Sequence, residues 1–252
     1  MQRLTTLLLL AGITLTAQAQ TVDDYQPDSD GDGCVGMSDL LSLLSVFGSC
    51  ETQAFACGDP VTYQDYDYAT VLIGEQCWFA ENLRSENYEN GDAIPTGLSD
   101  DEWENTSSGA IDALSLDEYG RFYNWYAVDD ARGLCPSGWH VPTDGEWGTM
   151  EMALGMSESA LNSTGARGTD QGTQMKTDYG WNDGGNGTNS SGFSGLPDGT
   201  QSFPGGGTRG YWWTSSLNDS NAAVRYLAYN NEKVYRFHFN LQSGLSVRCI
   251  QD

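Results

Sequence analysis

From Cys57 onward the chain is a succession of short aromatic-rich segments separated by Gly, Asn and Asp. Segments of that kind make hairpins and short strands, and every other feature has to fit that class. "ATVLI" and "QCWFAE" flank Gly74-Glu75, a two-residue hairpin turn with Gly first. In "PTDGEW", Thr143 as N-cap and Glu146 three residues later form a capping box behind Pro142. Trp147, Met150 and Leu154 then mark the buried face of a helix. Residues 165–210 are rich in glycine, too long for a simple loop and too aromatic for a linker. The end returns to strands. "VRYLAY", Asn230-Asn231, "KVYRFHFN" and "GLSVRCI" read as a meander, with Tyr235, Phe237 and Phe239 alternating against Val234, Arg236 and His238. The predicted class is α+β: antiparallel strands, one or two helices and a long Gly-rich loop region.

The first nineteen residues read as a signal peptide. Arg3 supplies the positive start, "LTTLLLLAGITL" is an apolar core too short to span a bilayer, and Ala17-Gln18-Ala19 is a small-residue cleavage pattern. The mature protein is expected to begin near Gln20 and to be secreted or held at the cell surface. No later stretch has the length and apolarity of a membrane span. Across the chain 35 acidic residues stand against 11 basic ones, Arg3 included, a net charge of −24. Nucleic acid and anionic lipid both need a basic footprint, so neither is expected as a partner.

Six cysteines in an exported chain read as disulfides. Six allow fifteen pairings. Spacing and context favour Cys34–Cys50, Cys57–Cys77 and Cys135–Cys249, two closing local loops and the third tying the middle of the domain to its end.

Ahead of the main domain, residues 20–56 form a separate segment around "DSDGDGCVGMSD". Asp28, Asp30 and Asp32 fall on positions one, three and five of an EF-hand-type calcium loop. Gly33 takes the sharp turn at six, Cys34 offers its carbonyl at seven, and Asp39 stands at twelve. A hard cation wants six to eight oxygens at about 2.4 Å, and alternate residues of a tight loop can all point inward. Without Ca2+, so many carboxylates at close quarters repel one another. Ser38 and Asp39 start a short helix with Leu40, Leu43, Leu44 and Phe47 on one face and Gly48 as its stop. The run "DSDGDGCVGMSDLLSLLSVFG" resembles one repeat of a dockerin, the calcium-binding module that plugs enzymes into cohesin scaffolds. A dockerin has two repeats and this chain shows one.

In residues 57–252, "DYATVLIGEQCWFAENLR", "YGRFYNWYA", "CPSGWHVPTDGEW", "MKTDYGWN", "GFSGLPDG", "GYWWTSS" and "GLSVRCI" follow one another in order. Together they resemble the Fibrobacter succinogenes major paralogous domain, from about Tyr63 to Ile250. The resemblance implies a C-type-lectin-like architecture related to the formylglycine-generating enzyme group, to which "HVPTDGEW" and "SVRC" are also similar. Those relatives work through cysteines late in the fold. Here no cysteine lies between Cys135 and Cys249, and both are expected to be bridged, so that chemistry is not expected.

Other enzymatic patterns are missing too. His140 in "GWHVP" reads as a hydrogen-bonded packing residue and His238 as a surface residue. Acidic pairs such as Asp100-Asp101 have no spacing that singles out a glycosidase pair. "PGGGT" lacks the Lys of a P-loop, and "GFSGL" misses the G-x-S-x-G spacing. The triplet Trp181-Asn182-Asp183 is similar to calcium and sugar ligands of animal C-type lectins, but its upstream partner triplet is missing, and Trp181 reads as a plug for its loop.

Binding is the positive expectation. Sugar rings stack on aromatic faces, and tyrosines give contact area at low entropic cost. In the resembled fold the ligand surface is built from the long loop region and the late strands. On this chain that implies a search area of Asn182, Asp183, Tyr211, Asn218, Asp219, Arg225, Tyr229, Asn230 and Asn231, with Trp212 and Trp213 in the core. The expected function is recognition of a glycan or a cell-surface or secreted protein, without catalysis, above a calcium-stabilised stalk. The alternative is an assembly component docking to a scaffold protein through the dockerin-like repeat.

Overall fold

The computed structural model describes residue 28 and residues 31–46, 55–112 and 119–252. The expected leader and Asp30, Phe47, Gly48 and Cys50 lie outside the described residues. The chain divides into two units, Met1–Ala54 and Phe55–Asp252.

In the first unit the acidic loop winds around its own carboxylates. Asp28 accepts the backbone N–H groups of Gly31, Asp32 and Gly33 at 2.8, 3.1 and 2.8 Å, and Asp32 accepts that of Cys34. A helix follows over Met37–Val46. Asp39 is buried and accepts the Gly36 N–H at 2.7 Å, while the Gly36 carbonyl accepts from Leu40. The first bond is half of a capping box, and the second is the first backbone bond of the helix. Of the expected Cys34–Cys50 pair only Cys34 is described, and it is an exposed thiol in a loop turned by aspartate hydrogen bonds.

The second unit is built of short antiparallel pieces. Strands β1 (Val61–Tyr63) and β2 (Tyr66–Tyr68) make one hairpin, and β3 (Thr70–Ile73) and β4 (Gln76–Phe79) make another. Gly74-Glu75 is its two-residue turn, as expected. Gly74 has φ +65°, and a Cβ there would stand 2.7 Å from that of Ala153, so a side chain at 74 would push the helix away. Strand β4 continues through β14 (Ile250–Gln251) to β7 (Trp139–His140), so the last residues pair with the β3–β4 hairpin. Strands β5 (Ile111–Asp112) and β6 (Phe122–Tyr123) form a small separate pair.

The main sheet has the order β10-β9-β11-β12-β13-β8, with β8 at Gly165–Arg167, β9 at Gly199–Thr200 and β10 at Phe203–Pro204. Its long strands are β11 (Arg209–Asn218), β12 (Asn221–Ala228) and β13 (Val234–Asn240). All its pairs are antiparallel except β9 with β11. Trp212 and Trp213 are fully buried because β11 is covered on both sides. Trp213 joins a cluster with Tyr68, Phe79, Tyr123 and Val247; Trp212 joins one with Trp78, Trp147 and Phe193. The class is mixed α+β, and among its described residues the second unit has five short α-helices where one or two were expected. The extra ones are brief turns. Ser99 and Glu102 form a capping box for Asp100–Asn105, and the Asn124 side chain caps Trp125–Val128. The expected helix is Asp144–Ala153, with the Thr143–Glu146 capping box in place and Trp147 and Met150 buried.

Two polar networks pin these layers. Arg225 on β12 and Arg236 opposite it on β13 both donate to Asp144, while Arg225 and Arg167 both donate to Glu151, which is fully buried. Two carboxylates on one helix thus neutralise like charges placed side by side on the sheet. The second network centres on Asn82. Its Oδ1 accepts from Trp212 Nε1 at 2.9 Å and Arg248 Nε at 2.7 Å, and its Nδ2 donates to Asp198 at 2.8 Å. Arg248 also reaches the carbonyls of Phe79, Phe193 and Ser194. Cys57–Cys77 and Cys135–Cys249 are bonded as expected.

Asn82→Ala is expected to cost about 3–5 kcal/mol, because it strips partners from a buried cation, a buried carboxyl and a buried indole together. Urea unfolding of the two proteins measures it; a loss below about 1 kcal/mol would mean that the network is replaceable.

His140 gives a pH signature. Its ring nitrogens contact Asp252 at 2.6 Å and Glu146 at 2.8 Å. Burial by itself lowers its pKa, but those two carboxylates overcome burial and raise it above the ordinary 6.5. A raised histidine pKa contributes stability that is complete below the unfolded value and is lost as pH climbs through the folded one. The melting temperature should therefore fall from about pH 6 to about pH 8 by more than in His140→Gln, as read by calorimetry across that window.

Candidate functional site

The sheet face that carries Tyr211 also carries Tyr226 and Tyr235, because register pairs Tyr211 with Tyr226 and Tyr226 with Tyr235. Their rings form a continuous row. Tyr211 and Tyr226 stand 5.1 Å apart between centroids, and Tyr226 stacks on Tyr235 at 4.2 Å and 11°. Phe239, two residues from the exposed Phe237, sits 5.5 Å from Tyr211. One end of this face is closed by the core around Trp213. The other end is open.

Beside the row, the β9–β10 hairpin and the 243–244 turn wall off a groove of about 360 Å³. Its lining includes Thr200, Phe203, Arg209, Tyr211, Phe239 and Gly244. Phe203, at the lip, is 83% exposed. Gly244 is needed at the base: a Cβ there would lie 2.4 Å from the Gln201 side chain and 2.9 Å from the Trp103 ring. Arg209 donates to the Tyr211 hydroxyl at 3.4 Å. Burial, and then the neighbouring tyrosines, push the Tyr226 phenol up to about 12, so its hydroxyl stays a neutral donor. The groove combines flat apolar faces with hydroxyls and one guanidinium, and among the described residues no carboxylate lines it.

The search area drawn from the sequence breaks into several places. Tyr211 lines the groove, though only 8% exposed. Asp183, Tyr229, Asn230 and Asn231 come together in a second, open polar cleft of about 640 Å³. Beneath that cleft lies Lys176, 2% exposed, with its ammonium donating to the carbonyls of Ala228 and Asn231 and 5.3 Å from the Trp181 ring. Asn182 instead holds the glycine loop, donating to the Gly206 carbonyl at 2.6 Å. Trp181 is the buried plug expected of it, donating to Thr177 and Gly195. Asn218 and Asp219 lie at the β11–β12 turn, with Asn218 against the ring of His238. Arg225 is not part of any surface. It is 1% exposed and bound in the Asp144–Glu151 network, because it projects from the opposite face to its neighbour Tyr226.

Phe203, Arg209, Tyr226, Tyr235, Phe237 and Phe239 were missed. The signals were a lone Phe in "GTQSFPGGG" and the alternating aromatics of "KVYRFHFN", whose pairing with Tyr226 is a long-range fact.

Compared with known proteins, the chain matches the Fibrobacter succinogenes major domain over residues 71–251. No curated protein and no solved structure matches it. With most of the sheet, both bonded disulfide pairs except Cys57, and the whole aromatic groove inside the matched span, the chain belongs to the Fibrobacter succinogenes major domain family.

Proposed function

We propose that this is an exported, non-catalytic binding protein whose domain has a C-type-lectin-like form and holds a glycan in the aromatic groove. The observation that carries the reading is the row Tyr211–Tyr226–Tyr235 running into a groove with Phe203 exposed at its lip. Flat rings lining a concave surface, with a few polar groups converging on it, are the arrangement of a small-ligand site. Pyranose faces stack on such rings, and the hydroxyls of Thr200, Ser202, Thr208 and Ser243 around the groove match sugar hydroxyls. A catalytic alternative lacks support: Cys135 and Cys249 are bonded to each other, and His140 is clamped between two carboxylates.

The dockerin-like segment is read as a Ca2+ stalk held by Asp28, Asp30, Asp32, the Cys34 carbonyl and Asp39. In support, the Asp28 carboxylate draws three backbone N–H groups to itself and curls the loop around hard oxygen donors. Asp39 is buried beside that loop and turns its carboxylate onto the Gly36 N–H.

Phe203→Ala should weaken binding of the mature protein to its polysaccharide by about tenfold or more, with the melting temperature unchanged because the ring is exposed. Binding should persist in a chelator. Affinity electrophoresis over a polysaccharide panel, with calcium and with chelator, checks both. A variant that binds as tightly as the parent would remove the groove from consideration. For the stalk, calorimetric titration of the mature protein should show one Ca2+ bound, lost in Asp28→Asn/Asp32→Asn; heat of binding unchanged in that variant would refute the assignment.

A further inference from the structure

The basic residues of this acidic chain are nearly all occupied. Arg84, Arg121, Arg132, Arg167, Arg225 and Arg236 pair with carboxylates. Arg248 and Lys176 are buried on backbone carbonyls. Among the described residues, that leaves two exposed cations without a carboxylate partner, Arg209 and Lys233. Lys233 lines the polar cleft and not the aromatic groove. Arg209 is in the aromatic groove.

Its position is fixed by the strand. Arg209 and Tyr211 alternate onto the same face of β11, and the Arg209 guanidinium donates to the Tyr211 hydroxyl at 3.4 Å. One guanidinium nitrogen is thus held on the Tyr211 hydroxyl, and the side chain lines the groove together with Phe203 and Phe239. With 35 acidic residues in the chain, a carboxylate partner for this one arginine was cheap to place. None stands there. A guanidinium presents a planar fork that matches a carboxylate or a sulfate through two parallel hydrogen bonds, and an exposed cation beside aromatic faces keeps that fork available.

We propose that the groove selects a sugar unit carrying an anionic substituent, a uronate carboxylate or a sulfate ester, with the ring against Phe203 and Phe239 and the anion on Arg209. This rests on the reading of the groove as a glycan site. The chain's net charge of −24 opposes a polyanion at long range, but at physiological ionic strength charges beyond about 8 Å are screened, and the contact with Arg209 is closer than that. Affinity for an acidic glycan should therefore be low at very low salt, rise towards about 0.15 M and fall again near 1 M as the direct contact is screened.

The test uses the full mature protein and matched probes: polygalacturonate, its carboxyl-reduced form, a sulfated galactan, and xylan as an unrelated neutral chain. Affinity electrophoresis and calorimetry should give about tenfold or greater preference for polygalacturonate or the sulfated galactan over the carboxyl-reduced polymer. Which acidic probe is preferred identifies carboxylate or sulfate as the anion. Arg209→Gln should abolish the preference and leave the weak neutral binding, Arg209→Lys should keep part of it, and Phe203→Ala should weaken every probe. Binding of both polygalacturonate and the sulfated galactan no tighter than that of the carboxyl-reduced polymer, or a preference untouched by Arg209→Gln, overturns the anion assignment while the glycan groove stands. Failure of every polysaccharide to bind overturns both.

Discussion

Arg248 is a fully buried cation at the point where the β3–β4 hairpin, the glycine-rich region and the last residues of the chain converge. Taking a guanidinium out of water costs several kcal/mol unless each donor finds an acceptor. Here the acceptors are the carbonyls of Phe79, Phe193 and Ser194 and the side chain of Asn82. Burial pulls the Arg248 pKa down to about 9, still charged at neutral pH, and Asp198 nearby partly offsets that burial. Asp198 is itself pushed up to about 7 by burial, against the hydrogen bonds of Ser246 and Tyr211 and the charge of Arg248. The consequence is architectural. Segments with few aliphatic side chains, such as 193–198, are held by polar bonds to one arginine and one asparagine rather than by an apolar core of their own.

The same constraint explains how a glycine-rich stretch can border a groove without collapsing into it. Asp198 receives the N–H of Tyr211 and the hydroxyl of Ser246, and its own carbonyl accepts from Gly205. The hairpin that carries Phe203 is therefore anchored at its base to the buried network, and its tip projects freely. A rigid root with an exposed aromatic tip presents a ring to a ligand at little entropic cost.

What could be read from the sequence was local. The Gly74-Glu75 turn, the Thr143–Glu146 capping box, the two bonded disulfides within the large domain and the burial of Trp212 and Trp213 each follow from a few adjacent residues or from cysteine context. The single-turn helices at 100–105 and 125–128 escaped because runs so short carry no period of their own and exist only through their caps. Arg225 was placed at the surface for a related reason. Alternation says that Arg225 and Tyr226 face opposite ways, but only the packing of helix 144–153 decides which of the two faces is wet. That packing put the arginine inside and left the tyrosine half in water, the reverse of what polarity suggests.

That inversion is what makes the surface proposed for binding. A sheet that buried its aromatic face completely would have no ring to offer, and one that exposed its arginines would have met the acidic surface with scattered salt bridges. By drawing Arg225, Arg236 and Arg167 onto two carboxylates behind the sheet, the fold removes positive charge from the back and leaves Tyr226, Tyr235 and Phe237 on the front. Arg209, at the end of β11 beyond the reach of Asp144 and Glu151, keeps its charge on the front face. The selectivity proposed for the groove is therefore tied to the ion network behind it: the carboxylates of one helix take up Arg167, Arg225 and Arg236 and leave Arg209 at the groove.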